Sequence, residues 1–98
     1  SVGIAKKSIE RADVNYAAGS CFRAVMCMLQ VLFALNKEYW MNEKGALAIT
    51  DRFAIKPADF RNRVNEIYRL LDASPEAIER AVTLLKGLCE EVYALLPK

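Results

Sequence analysis

Hydrophobic positions run almost unbroken from Ala24 to Leu35, with only Gln30 interrupting, and the chain then turns abruptly polar over Asn36–Lys44. A helix that is apolar on every side has to be covered on every side. The pattern therefore predicts a buried central helix from Val14 to about Asn36, with a polar cluster at its end. Upstream, Ile4, Ala5, Ile9 and Ala12 line one side of a helix over Val2 to Ala12. Asp13 then offers an acceptor for the free N–H groups at the start of the central helix. Asn36 suits the left-handed position at the other end.

Downstream, Asn42 predicts the cap of a shorter helix from Glu43 to about Phe53, weakened by Gly45. Lys56-Pro57 marks the next start, because proline is tolerated in a first helical turn. Phe60, Val64, Ile67 and Leu71 then recur at helical spacing. Ser74-Pro75-Glu76 combines a cap, a pre-set φ and an acid at the positive helix end. The last helix carries Ile78, Val82, Leu85, Cys89, Val92 and Leu96 as a stripe, and Pro97 stops it. No segment reads as a strand. Short loops make neighbouring long helices antiparallel. The expected fold class is all-α, a four- or five-helix up-and-down bundle with a buried central helix.

A length of 98 residues allows one domain with one modest core, taken as residues 1–98. The net charge of +2 is too small to argue for nucleic acid or membrane binding. A local basic bias exists, with Lys44, Arg52, Lys56, Arg61, Arg63 and Arg69 against Asp51, Asp59 and Glu66. A solvated helical face explains it better than an anion-binding edge. The apolar run Ala24–Leu35 is too short for a bilayer and is flanked by Arg23 and Lys37. The expected location is cytoplasmic. The chain opens directly into a helical pattern without a methionine, and reads either as a fragment of a longer protein, a C-terminal one on the resemblance given below, or as carrying a residual tag serine.

The candidate chemistry is narrow. Cys21, Cys27 and Cys89 are odd in number and sit in apolar helical patterns, as buried free thiols in a reducing compartment do. Cys21 and Cys27, six residues apart on a helix, point to different sides and would not share a metal. The absence of histidine removes His–Cys zinc sites and the Ser-His-Asp arrangement. No two carboxylates are spaced to hold a catalytic Mg²⁺, and Glu90 and Glu91 face different ways. Gly19-Ser20 matches the Gly-Ser pair of polymerase-beta-type nucleotidyltransferases, but it lies in a helical pattern and no Asp-x-Asp follows.

The segment Leu32-Phe-Ala-Leu-Asn36-x-x-Tyr39-x-x-x-x-Lys44 is more specific. It resembles the C-terminal helical domain of bacterial polymerase-beta-superfamily nucleotidyltransferases. That group includes kanamycin nucleotidyltransferase-like and aminoglycoside adenylyltransferase-like proteins and their HEPN relatives. Arg11-Ala-Asp13 and the later helix with Pro57 and Phe60 are also similar, so the resemblance spans about Arg11 to Leu71. It implies a substrate-binding domain that closes the cleft opposite an α/β catalytic domain or subunit. That domain would hold ATP and Mg²⁺ on its Asp pair. HEPN ribonucleases pair an Arg with a nearby His; this chain has no His, and RNA cleavage of that type is not expected.

The candidate nucleotide- or substrate-binding residues are Lys44, Tyr39, Trp40, Asn36 and Asp13, with no catalytic residue and no metal ligand in this chain. Lys44 would contact a phosphate, and Tyr39 and Trp40 would stack on a base or sugar. Plainer roles compete: a surface lysine, aromatics plugging the bundle end, Asn36 as a C-cap and Asp13 as an N-cap. Met26, Met28 and Met41 read as core filler. Gln30, in the buried run, would need a hydrogen-bond partner. The implied partners are the nucleotidyltransferase domain or subunit, a nucleotide and a small-molecule acceptor. The rival reading is a non-enzymatic interaction module, a partner subunit or homodimer, motivated by the many apolar residues. An RNA-contacting edge over Arg52–Arg69 is a third.

Overall fold

Between Ile4 and Ala18 the chain has no glycine or proline, and it runs through Asp13 as a single helix, α1 (Val2–Leu35). An interior aspartate costs only about 0.7 kcal/mol relative to alanine. A cap forms only where the preceding backbone turns away, and here it does not. The two helices expected over Val2–Ala12 and Val14–Asn36 are therefore one, and Asp13 is not an N-cap. The computed structural model describes the backbone of residues 2–40, 44–71 and 74–97, and side chains in those segments from residue 17 onward.

Three further α-helices follow: α2 (Ala46–Ile49), which runs on as a 3₁₀ turn over Thr50–Arg52, α3 (Phe60–Leu70) and α4 (Pro75–Ala94). The described residues contain no strand. The architecture is the expected all-α bundle. α3 and α4 form an antiparallel hairpin, closed at its open end by Arg63 of α3 on Glu91 of α4. α1 packs along this hairpin. At 1.5 Å per residue its 34 residues span about 51 Å, which equals the molecule's longest extent of 51 Å. The radius of gyration, 15.1 Å, exceeds the about 12.6 Å expected for a compact chain of this length. The shape is thus set by one long rod carrying a shorter hairpin.

Cys21, Val25, Met28, Leu29, Leu32 and Phe33 form the buried stripe of α1. Against it lie Phe60, Val64, Ile67 and Leu71, the stripe read from α3, all buried. On α4 the buried positions are Ala81, Leu88 and Val92, with Leu85 and Cys89 partly covered. Val82 and Leu96, expected inside, are exposed. Apolar residues at 81, 82, 84, 85, 88 and 89 leave several stripes open to α4. Turning small Ala81 inward selects the one that brings the backbones close.

The cover of α1 is one-sided. Phe22, Cys27, Gln30 and Ala34 are exposed, and Met26, Val31 and Leu35 are half-buried. Among the described residues only two helices, α3 and α4, are long enough to wrap it, and both lie on the same flank. Gln30 consequently finds solvent rather than a buried partner. The 19-residue stretch Ala17–Leu35 has a mean hydropathy of 1.7, long and apolar enough to cross a bilayer, while 33% of it is buried. That stretch is longer than the run read from Ala24 alone.

Helix boundaries follow local chemistry with two exceptions. Ser74 caps α4 as read: its Oγ accepts from Ala77 N at 3.0 Å, with Pro75 in the first turn. Pro57, by contrast, is buried in the preceding loop, and α3 begins at Phe60 behind Asp59, which adopts a left-handed conformation (φ 58°). Aspartate tolerates that region better than most side chains. α2 begins behind Gly45 at φ 76°, so this glycine supplies the left-handed turn into the helix rather than weakening its interior. Asn42, Glu43 and Met41 lie outside the described residues.

Candidate functional site

The polar end of α1 is built on two anchors. The first is Asn36. Its Nδ2 donates to Leu32 O (2.7 Å) and to Ile55 O (2.8 Å), and its Oδ1 accepts from Ile55 N (3.0 Å). Both amide hydrogens and the carbonyl are thereby committed to backbone. The left-handed position that Asn36 was expected to fill passes to Lys37, at φ 57°. A short polar side chain is more useful reaching the loop than adopting a rare φ. Glu38 N then donates back to Phe33 O at 2.9 Å and closes the helix end.

The second anchor is aromatic. Phe33 is the hub of an edge-to-face trio, with Trp40 at 5.2 Å (89°) and Phe53 at 5.0 Å (82°). These separations and angles are the favourable T-shaped arrangement of ring quadrupoles. Trp40 is half-buried against the core. Its neighbour Tyr39 is 91% exposed. Of two adjacent aromatics, one locks the tip to the bundle and the other stands in solvent.

Lys44 is exposed just before Gly45 and has a further interaction of its own. The structure thus brings Asn36, Tyr39 and Trp40 to one end of α1. Asp13 is 23 positions earlier on the same helix, about 34 Å away along its axis, and its side chain lies outside the described residues. Nothing places it beside the others.

The basic segment next to the tip is largely engaged. Lys56 Nζ donates to Thr50 O (3.0 Å) and Asp51 O (2.7 Å), satisfying carbonyls at the end of the 3₁₀ turn. Arg61 pairs with Asp51 at 2.9 Å. Arg63 holds Glu91 with both guanidinium nitrogens and also donates to Ala58 O at 3.1 Å. That grip holds the Glu91 carboxyl below its ordinary range and raises Arg63. Arg52 is exposed. The RNA-contacting edge read over Arg52–Arg69 therefore consists in good part of internal braces.

Among the described residues, no three His, Cys, Asp or Glu side chains come together to hold a metal. All three cysteines are free; Cys21 is buried, Cys89 half-buried and Cys27 exposed, the last against expectation. Burial first, and then the neighbouring Cys89, pushes the Cys21 thiol up; burial and then Cys27 do the same for Cys89. Burial, and secondarily Cys21, lifts the Tyr68 phenol to about 12.

One concavity lies away from the tip. It is a half-open, almost wholly apolar cavity of about 250 Å³ between α1, α3 and α4, with Ser20 on its α1 wall. Sequence reading missed it. The available signal was the small residues Ala17, Ser20 and Ala81, which leave space where long helices converge.

No family model, curated protein or solved structure matches this chain.

Proposed function

We propose that this chain is the helical substrate-binding domain of a nucleotidyltransferase, closing the cleft over nucleotide and acceptor opposite a separate catalytic domain. The observation that carries this reading is the division of labour at the α1 tip. Asn36 and Trp40 fix the backbone there, while adjacent Tyr39 is left 91% exposed. An aromatic ring held in solvent on a rigid support is poised to stack on a base or sugar. The Leu-Asn-x-x-Tyr pattern with its following lysine adds the family resemblance.

In the reaction, an acceptor hydroxyl attacks the α-phosphorus in line. The new P–O bond forms as the bond to the bridging oxygen breaks, and pyrophosphate leaves. A base outside this chain takes the hydroxyl proton. ATP and Mg²⁺ belong to the catalytic domain, whose paired aspartates this chain lacks. Here Tyr39 orients the nucleoside and Lys44 brings an ammonium to the phosphates. This domain is inactive alone, and the whole protein is expected in the cytoplasm. The test is ATP affinity and turnover of the full-length protein with Tyr39→Ala and Lys44→Ala. A loss in either supports the site, and wild-type behaviour of both contradicts it.

The one-sided cover of α1 favours a second reading, a homodimer or partner subunit that uses the exposed Phe22–Ala34 face. Sedimentation of this chain tests it: self-association supports a homodimer, and a clean monomer at high concentration counts against one.

A further inference from the structure

We propose that the cavity between α1, α3 and α4 is a binding site for a medium-chain carboxylate, with its apolar chain inside and its carboxylate on Arg23 at the rim. This inference is independent of the nucleotidyltransferase reading, because the cavity and the α1 tip share no residue.

The interior is chemically uniform. Ile67 and Leu71 of α3 and Ile78, Val82 and Leu85 of α4 present only hydrocarbon. The Cys21 thiol in the wall stays protonated for the reason given above, and none of the described lining residues carries a charge. A dry apolar cavity of about 150 Å³ already holds benzene. The 250 Å³ here is larger still, which admits a hydrocarbon chain of medium length.

Among the described lining residues, the polar atoms are on the α1 side. Arg23 Nη2 donates to the Oγ of Ser20, a cavity-wall residue, at 3.3 Å. A Cβ placed on Gly19 would sit 3.5 Å from Arg23 Nη1. The guanidinium therefore folds back along α1, over the bare backbone of Gly19, to Ser20 on the cavity wall, while Arg23 itself stands just outside the lining. Among the described residues its partner is a neutral hydroxyl, a weak partner for a full charge. A guanidinium presents paired N–H donors that match a carboxylate. One cation beside an apolar cavity favours an anion with a hydrocarbon tail over both a bare anion and an uncharged chain.

The experiment is isothermal titration calorimetry of this chain with octanoate, octan-1-ol and acetate, below micellar concentrations. Saturable 1:1 binding of octanoate, about tenfold tighter than octan-1-ol and with no measurable acetate binding, is the expected result. Arg23→Gln should erase the preference for octanoate over octan-1-ol while keeping octan-1-ol binding. Val82→Trp, at a rim position that is 38% exposed and so tolerant of a larger side chain, should block both ligands. Circular dichroism confirms that each variant keeps its helices; if Val82→Trp does not fold, Val82→Phe takes its place. Absence of octanoate binding, equal affinity for octan-1-ol, or octanoate binding unaffected by the rim substitution would each overturn the proposal.

Discussion

Asn36 and Ile55 are joined as though paired in a sheet: the Asn36 amide donates to Ile55 O at 2.8 Å and accepts from Ile55 N at 3.0 Å. Nineteen residues of chain leave α1 and return to this point. The loop that follows the 3₁₀ turn is thus tied to the end of the longest helix by one side chain. Asn36→Ala should cost about 2 kcal/mol, because it removes both donors and leaves backbone groups to find water. Asn36→Asp should cost at least as much at neutral pH, since a carboxylate would face two carbonyl oxygens. Urea denaturation midpoints of the two variants check both.

Ser74 offers a simpler loss. Its hydroxyl is the side-chain cap of α4, and Ser74→Ala should destabilise by about 1 kcal/mol. Ser74→Asp should restore most of that, because a carboxylate also accepts from the first-turn N–H groups and favours the positive helix end. Thermal unfolding monitored by circular dichroism separates the outcomes.

The pH profile has two predicted edges. The Glu91 carboxyl is lowered from 4.5 by Arg63. It therefore stabilises the native state above its unfolded value, and this contribution disappears as pH falls through the lower folded value. The pair is partly solvated, with exposures of 34% and 47%, so the effect is small and weakens further in salt. On the alkaline side, Tyr68 rises from 10.0 to about 12. It favours the native state fully below pH 10, and that preference is lost as pH climbs to 12. Unfolding midpoints against pH should shift least for Glu91→Gln at the acid edge and for Tyr68→Phe at the alkaline edge.

Thiol reactivity should follow burial. Cys27 should react with an aromatic disulfide reagent in the native protein, Cys89 more slowly, and Cys21 only on unfolding, because only the thiolate attacks and burial suppresses it. Single-cysteine variants resolve the three rates. Fast labelling of Cys21 in folded protein would contradict its place against α3 and α4.

The legible parts of the fold were those where one local signal had no competitor. Ser74-Pro75-Glu76 and the Phe60–Leu71 stripe are of this kind, and both stand. Asp13 misled because a capping residue is also tolerated in a helix interior, and the backbone before it decides which role it takes. The α4 stripe was misread because apolar residues occupy several faces, and the small size of Ala81 broke the tie. For the candidate site, the sequence singled out Asn36, Tyr39 and Lys44 by resemblance, but not the contact that Asn36 makes in the fold. Its partner Ile55 is nineteen positions away, and no local pattern encodes that contact. The cavity was missed for a related reason: its walls come from three helices, and the small residues Ala17, Ser20 and Ala81 mark it only once those helices are placed together.

We have proposed that the α1 tip forms one wall of a nucleotidyl-transfer site. The most direct test is steady-state turnover of the full-length protein with Tyr39→Ala beside Tyr39→Phe, with the fold checked by circular dichroism. Tyr39→Phe, which keeps the ring, should retain most activity, and Tyr39→Ala should lose at least about fivefold in kcat/KM, a barrier change of roughly 1 kcal/mol. Equal activity of Tyr39→Ala and wild type would contradict it.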